Sequence, residues 1–262
     1  MSTASSSNTN TDTANIRDLV SPEEWQTRVD LAAAYRLVAH YGWDDMIFTH
    51  ISARVPGPDH HFLINPYGLL FEEITASSLI KVDLDGNAVM DSPYKTNPAG
   101  FTIHSAIHAA REDAKCVLHL HTLDGTAVSA MAEGLMPLNQ TACLVRESVA
   151  YHDWEGVALD HDERPRLVAD LGDKDTMILR NHGTMSVGET IAAAFIKIYY
   201  LERACSMQVR SVSGNRELHF PAADVVQKTG ELGSQGLAVV ADYLAWPALV
   251  RMLDRQGADY AL

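Results

Sequence analysis

Two histidines, His119 and His121, stand two residues apart in the apolar run Cys116 to Thr122, CVLHLHT. On an extended strand successive side chains alternate faces, so Cys116, Leu118, Leu120 and Thr122 share one face. Val117, His119 and His121 share the other, and two imidazoles therefore leave one strand in the same direction. A third candidate is His182 in Met177 to Gly183, MILRNHG, where a short apolar strand breaks into a loop. Strand ends and their loops are where sites are usually built. Three neutral imidazoles with positions left open make a catalytic-type site for zinc, manganese, iron or cobalt.

Helpers for such a site lie upstream. A helix expected from Asn97-Pro98 to about Arg111 buries Ile103, Ala106, Ile107 and Ala110, which puts His104 and His108 at the edge of its core face. His104 is the candidate for a ligand, an outer partner of a ligand, or a proton-transfer group; His108 reads as structural. On an earlier strand Phe48, His50, Ser52 and Arg54 share a face, so His50 and Arg54 join His104 as catalytic candidates. Arg54 either orients a substrate carboxylate through a bidentate contact or pairs with Glu72 or Glu73 and braces the sheet. Glu72-Glu73 reads as a solvated loop and helix start rather than a catalytic carboxylate pair. His152 and His161 sit in a long acidic connection that either covers the site, bringing one of them to it, or is a solvated loop, the favoured reading.

The elements that must position these groups follow from periodicity and punctuation. Ser21-Pro22-Glu23-Glu24 is a helix start: N-cap serine, proline at the first helical position, glutamate three residues on. The helix runs to Gly42. Strands are expected at 47–55, 62–65, 82–84, 116–122, 141–145 and 176–179, and helices near 125–132, 165–171 and 189–209. The tail after Gly214 reads as helical, interrupted at Gly233, Gly236 and Pro247. Residues 1–20 read as disordered, and 21–262 as one α/β domain of three layers, α/β/α, around a mixed sheet.

Composition narrows the function classes. The chain has 262 residues, 47% hydrophobic, with a net charge of −14. That charge argues against a nucleic-acid surface. No run approaches the roughly 20 apolar residues of a membrane span, and the start carries no signal pattern, which together read as a cytoplasmic protein. Cys116, Cys143 and Cys205 are widely spaced in apolar surroundings and read as reduced core residues.

Six segments in order, FTHISARV, INPYGLLFEEIT, KVDLDGN, NPAGFTIHSAIHAAR, CVLHLHT and ILRNHGT, resemble the class II aldolase/adducin family over most of the chain. The resemblance implies a mostly antiparallel mixed sheet between helices. It also implies a divalent transition metal, zinc foremost, on His119, His121 and His182, and a homotetramer with sites at subunit interfaces. C-terminal tails enter a neighbour's pocket in some members, which draws attention to Tyr260. The departures matter as much. The glutamate that serves sugar-phosphate aldolases as base falls on Gly100, and two phosphate-binding serines fall on Pro98 and Ala99. The expected function is thus a metal-dependent lyase, cleaving or decarboxylating a small non-phosphorylated carboxylate or carbonyl compound. The alternatives are an adducin-like interaction protein with a structural metal, and a non-heme iron oxygenase.

Overall fold

The computed structural model describes residues 16–156, 161–214 and 216–262. It begins with a helical turn, α1 (Ile16–Leu19), inside the segment expected to be disordered; the Arg17 guanidinium lies 5.6 Å from the Trp25 ring. Residues 1–15 lie outside the described residues.

Helix α2 (Pro22–His40) starts as its sequence demands, with the Ser21 hydroxyl accepting the Glu24 amide at 3.1 Å. Glu24 does not complete the capping box. Its carboxylate turns inward, taking Arg28 Nε at 3.0 Å and Lys81 Nζ at 2.7 Å. Arg28 also donates to the carbonyls of Ala76 and Leu79, so this buried charge is fully partnered.

Among the described residues seven strands form one sheet: β1 (His50–Arg54), β2 (Phe62–Ile64), β3 (Ile80–Val82), β4 (Cys116–Leu120), β5 (Val149–His152), β6 (Thr176–Leu179) and β7 (Gly183–Gly188). Their order is β3-β2-β1-β4-β7-β6-β5, and every pairing is antiparallel except β5 with β6. The sheet is therefore mixed and mostly antiparallel, as expected. The chain's alternation sorts its two faces. Cys116, Leu118 and Leu120 enter the large core under α2 and the long helix α7 (Ile191–Val212). Val117, Met177, Met185 and Val187 pack on the other face against α3 (Pro98–Ala110) and α6 (Arg164–Leu171). Two covered faces make three layers.

Three expectations are corrected. The run Thr141 to Val145 is helix α5 (Gln140–Arg146), because the Asn139 side chain caps the Ala142 amide at 3.0 Å. The stretch around His152, expected to be loop, is strand β5. Its His152 is buried between Asp170 at 2.7 Å and Glu163 at 3.2 Å. The tail is not interrupted at Gly233 or Gly236. Helix α8 (Ala223–Val240) runs through both, and a Cβ at Gly233 would lie 1.9 Å from the Leu144 carbonyl, so glycine is what lets α8 rest on α5. A π-helical turn (Ala241–Ala245) then leads into α9 (Trp246–Arg255). Tyr260 is buried in its own chain, its hydroxyl on Asp254 at 2.8 Å, rather than extended toward a neighbour. Asp160 lies outside the described residues, as does the side chain of His161. No helix among the described residues is long and apolar enough to cross a membrane.

Candidate metal centre

The central strands bring the three sequence-distant histidines together. β4 ends at Leu120, so His119 lies within it and His121 just beyond. β6 and β7 are joined by a tight turn whose Asn181 adopts φ 57°, a left-handed conformation asparagine tolerates better than most residues. That turn delivers His182. Gly183 lies against the end of β4, and a Cβ there would lie 2.3 Å from the Leu120 carbonyl. Only a glycine allows the two histidine-bearing segments to come this close.

The Nε2 atoms of His119, His121 and His182 converge at 3.0, 3.2 and 2.9 Å from one another. Nitrogens bound at about 2.0–2.1 Å to one tetrahedral ion lie roughly 3.4 Å apart, so these separations suit a single ion. The opposite ring nitrogens fix the tautomers. His119 Nδ1 donates to the Thr184 carbonyl at 3.1 Å, and His121 Nδ1 faces Asp45 Oδ2 at 3.1 Å. With those protons on Nδ1, the Nε2 atoms of His119 and His121 are bare lone pairs. Two lone pairs at such a distance repel unless a cation joins them. Asp45 stands where a carboxylate would orient His121 if that imidazole held a metal. Burial, reinforced by the neighbouring histidines, holds His119 well below its usual value. It also pushes His182 down to about 4. Both rings are therefore neutral at pH 7, the form in which an imidazole can bind a metal. The group could bind a metal.

A cavity of about 950 Å³ opens on the triad. Among its described lining residues Asp45 is the one carboxylate, and lysine and arginine are absent. Phe48, Tyr67, Leu123 and Trp154 form an exposed apolar rim. Thr49 lies in the wall with φ 67°, a strained backbone for a β-branched residue that costs on the order of 1–3 kcal/mol.

The helpers separate into two groups. His50 lines this cavity, pairs in register with His119, and is pushed down to about 4 by burial and then by His121. His104 is buried beside it, ring centroids 6.0 Å apart. Arg54 is not brought into the cavity. Its guanidinium donates to Glu112 at 2.7 Å and to the His108 carbonyl at 2.6 Å. It braces the end of β1 against the α3–β4 connection, with Glu112 as partner where Glu72 or Glu73 was expected. Glu72 and Glu73 are exposed, as read from the sequence.

Sequence reading missed Asp45 and Glu202. Asp45 sits in the irregular approach to β1, where no periodicity marks it. Glu202, on α7, is buried beneath the site and accepts the hydroxyls of Thr122 and Thr184, the residues next to His121 and two beyond His182. Burial pushes its carboxyl up to about 7.

Fold and site together define a three-layer protein with a trihistidine centre on a mostly antiparallel sheet. The chain belongs to the Class II Aldolase and Adducin N-terminal domain family, whose model matches residues 29–209. It is 57% identical to a protein of Caulobacter vibrioides named as an aldolase class 2 protein, over 95% of this chain and 97% of that one. The crystal structure of an aldolase II superfamily protein from Pseudomonas syringae superposes with a TM-score of 0.89 at 52% identity, covering 94% of this chain and 99% of that chain. An L-fuculose 1-phosphate aldolase from Glaciozyma antarctica PI12 superposes with a TM-score of 0.80 at 29% identity, covering 91% and 92%.

Proposed function

We propose that the protein is a metal-dependent lyase that cleaves a carbon–carbon bond in, or decarboxylates, a small non-phosphorylated carboxylate or carbonyl compound. The observation that carries this reading is the convergence of three Nε2 atoms, at 2.9–3.2 Å, on an open cavity. His119, His121 and His182 would hold zinc, or manganese, iron or cobalt, which imidazole also suits. A divalent ion there supplies Lewis-acid stabilisation of the charge that develops on a substrate oxygen as the bond breaks.

The chain's own residues set the limits. Among the described residues the cavity wall has no lysine or arginine to clamp a phosphate dianion, and Gly100 supplies no carboxylate base. His50 and His104 are the groups that would move protons beside the triad. Arg54, spent on Glu112, leaves carboxylate recognition to the metal. The homotetramer and the cytoplasmic setting belong to this proposal too.

A second reading, cleavage of a sugar phosphate, is favoured by the likeness to the Glaciozyma enzyme. One experiment separates these. Protein purified without chelator or affinity metal is assayed for metal content. It is then screened anaerobically on 2-oxo acids, hydroxylated aromatic acids and hydroxy acids, with L-fuculose 1-phosphate beside them. Release of CO₂ or a carbonyl fragment from a non-phosphorylated compound is expected. Rapid turnover of the sugar phosphate alone would overturn the substrate class. Strict dependence on O₂ would favour an oxygenase, and silence across the panel at full metal occupancy would favour an adducin-like binding protein.

A further inference from the structure

Four buried polar atoms on one side of the triad have no hydrogen-bond partner among the described residues: Thr49 Oγ1, His50 Nδ1 and Nε2, and His104 Nε2. Thr49 is 1% exposed, His50 6% and His104 0%. Buried polar atoms are nearly always paired, so a cluster of orphans beside a candidate ion marks a place made for a polar ligand atom. His50 and Thr49 line the cavity wall. His104 stands against His50, and both lie close enough to His119 to depress its protonation.

The polarity of this place can be read from a hydrogen-bond chain behind it. The Ala114 carbonyl can only accept, so the 2.7 Å contact puts the proton on His108 Nδ1. Burial keeps His108 neutral, pushed down to about 3, which leaves its Nε2 bare. Ser52 Oγ, 2.7 Å from that Nε2, must donate its one proton there. The second 2.7 Å contact of Ser52 Oγ, to His104 Nδ1, is then a donation from His104. His104 is also held neutral by burial, so its proton is on Nδ1 and its Nε2 carries a lone pair.

We infer that Thr49, His50 and His104 form a hydroxyl-binding subsite beside the triad, in which His104 Nε2 accepts the hydroxyl proton and Ser52 and His108 are positioning residues that fix its tautomer. The ligand class is a small molecule carrying a hydroxyl next to a metal-chelating oxygen. A carbonyl or ether oxygen, which has no proton to give, would leave the Nε2 lone pair unmatched. Only the chemical step rests on the lyase reading. There, His104 takes the proton of a hydroxyl set β to a carbonyl, the O–H pair becomes the new C=O, and the C–C pair departs with the carbonyl fragment as an enolate. His104 returns the proton to that carbon, so no oxidant or co-reactant is consumed.

The test uses full-length protein with histidine ¹⁵N labels, zinc-loaded, in solid-state NMR, with His104 assigned by difference against H104Q. Wild type is expected to show His104 protonated at Nδ1 and bare at Nε2; S52A is expected to scramble the tautomer at unchanged metal content, and S52T to retain it. In parallel, cobalt-loaded protein is titrated with glycolate and with methoxyacetate, both chelators, only the first bearing a hydroxyl proton, using the metal's visible band. Glycolate is expected to bind tighter by about tenfold or more, as for a site built to pair with a hydroxyl, and S52A to lose that preference. A His104 Nε2–H or an imidazolium in wild type, or equal affinities, would overturn the subsite. If S52A does not fold, the wild-type spectrum and the two chelators still decide. A subsite that passes while no compound is turned over would discard the lyase reading alone.

Discussion

The triad and the pair His108/His152 use the same residue type for opposite ends. His108 spends both ring nitrogens on the protein, Nδ1 on Ala114 and Nε2 on Ser52. His152 does the same with Asp170 and Glu163. Both are buried braces with nothing left to offer. His119 and His121 each commit Nδ1 and point a bare Nε2 at a common centre. What separates a site from a scaffold is unspent bonding capacity in a shared direction, not the imidazole.

The strongest way to break this contrast is to remove a ligand. H121A should fold, by circular dichroism, yet lose metal affinity by more than the roughly 10–100-fold that an outer partner is worth. Full occupancy by elemental analysis would contradict the triad. Acid should act next. Burial pushes His50 and His182 down to about 4 and His108 down to about 3 in the folded state, from an ordinary value of 6.5. The unfolded chain thus binds more protons between these limits, so their stabilisation is complete above pH 6.5 and is lost as pH falls toward 4 and below. Urea midpoints of metal-free protein should drop over that window, and a flat profile would mean the rings are already charged. D45N removes the charge that orients His121 and should weaken metal binding by about 10–100-fold without changing the fold. Metal affinity equal to wild type would make Asp45 a bystander. The smallest effect is expected at E112A. Its partner Arg54 is bonded at a rim where Glu112 is 79% exposed, so the cost should be about 0.2–1 kcal/mol in urea unfolding, with metal content unchanged.

How much of this was legible follows from the kind of signal each part leaves. The alternation in CVLHLHT carried both the two faces of β4 and the shared direction of His119 and His121, because period-two patterning is written in consecutive residues. The Ser21-Pro22 start was legible because capping is local. Strand β7, GTMSVG, went unread: it is buried on both faces and built of small residues, so it has neither alternation nor a bulky apolar run. Thr141 to Val145 looked like a strand from its apolar, β-branched content, and one capping side chain at Asn139 reversed that. Asp45 reaches His121 across 76 residues of chain, a contact that no local pattern encodes. Arg54 was placed on the correct strand face, yet whether it met substrate or a brace depended on Glu112, which only the α3–β4 connection brings near.

Gly183 carries a message for readers of related chains. Its α-hydrogen occupies space where any Cβ would strike the Leu120 carbonyl at 2.3 Å. The spacing between the His121 and His182 segments is therefore gauged by an absent methyl group, as a shim is gauged by its thickness. Histidines can persist at all three positions in a homologue whose site no longer closes. Position 183 then works as a diagnostic letter: a side chain there should mark a relative that kept the ligands but lost the distance between them.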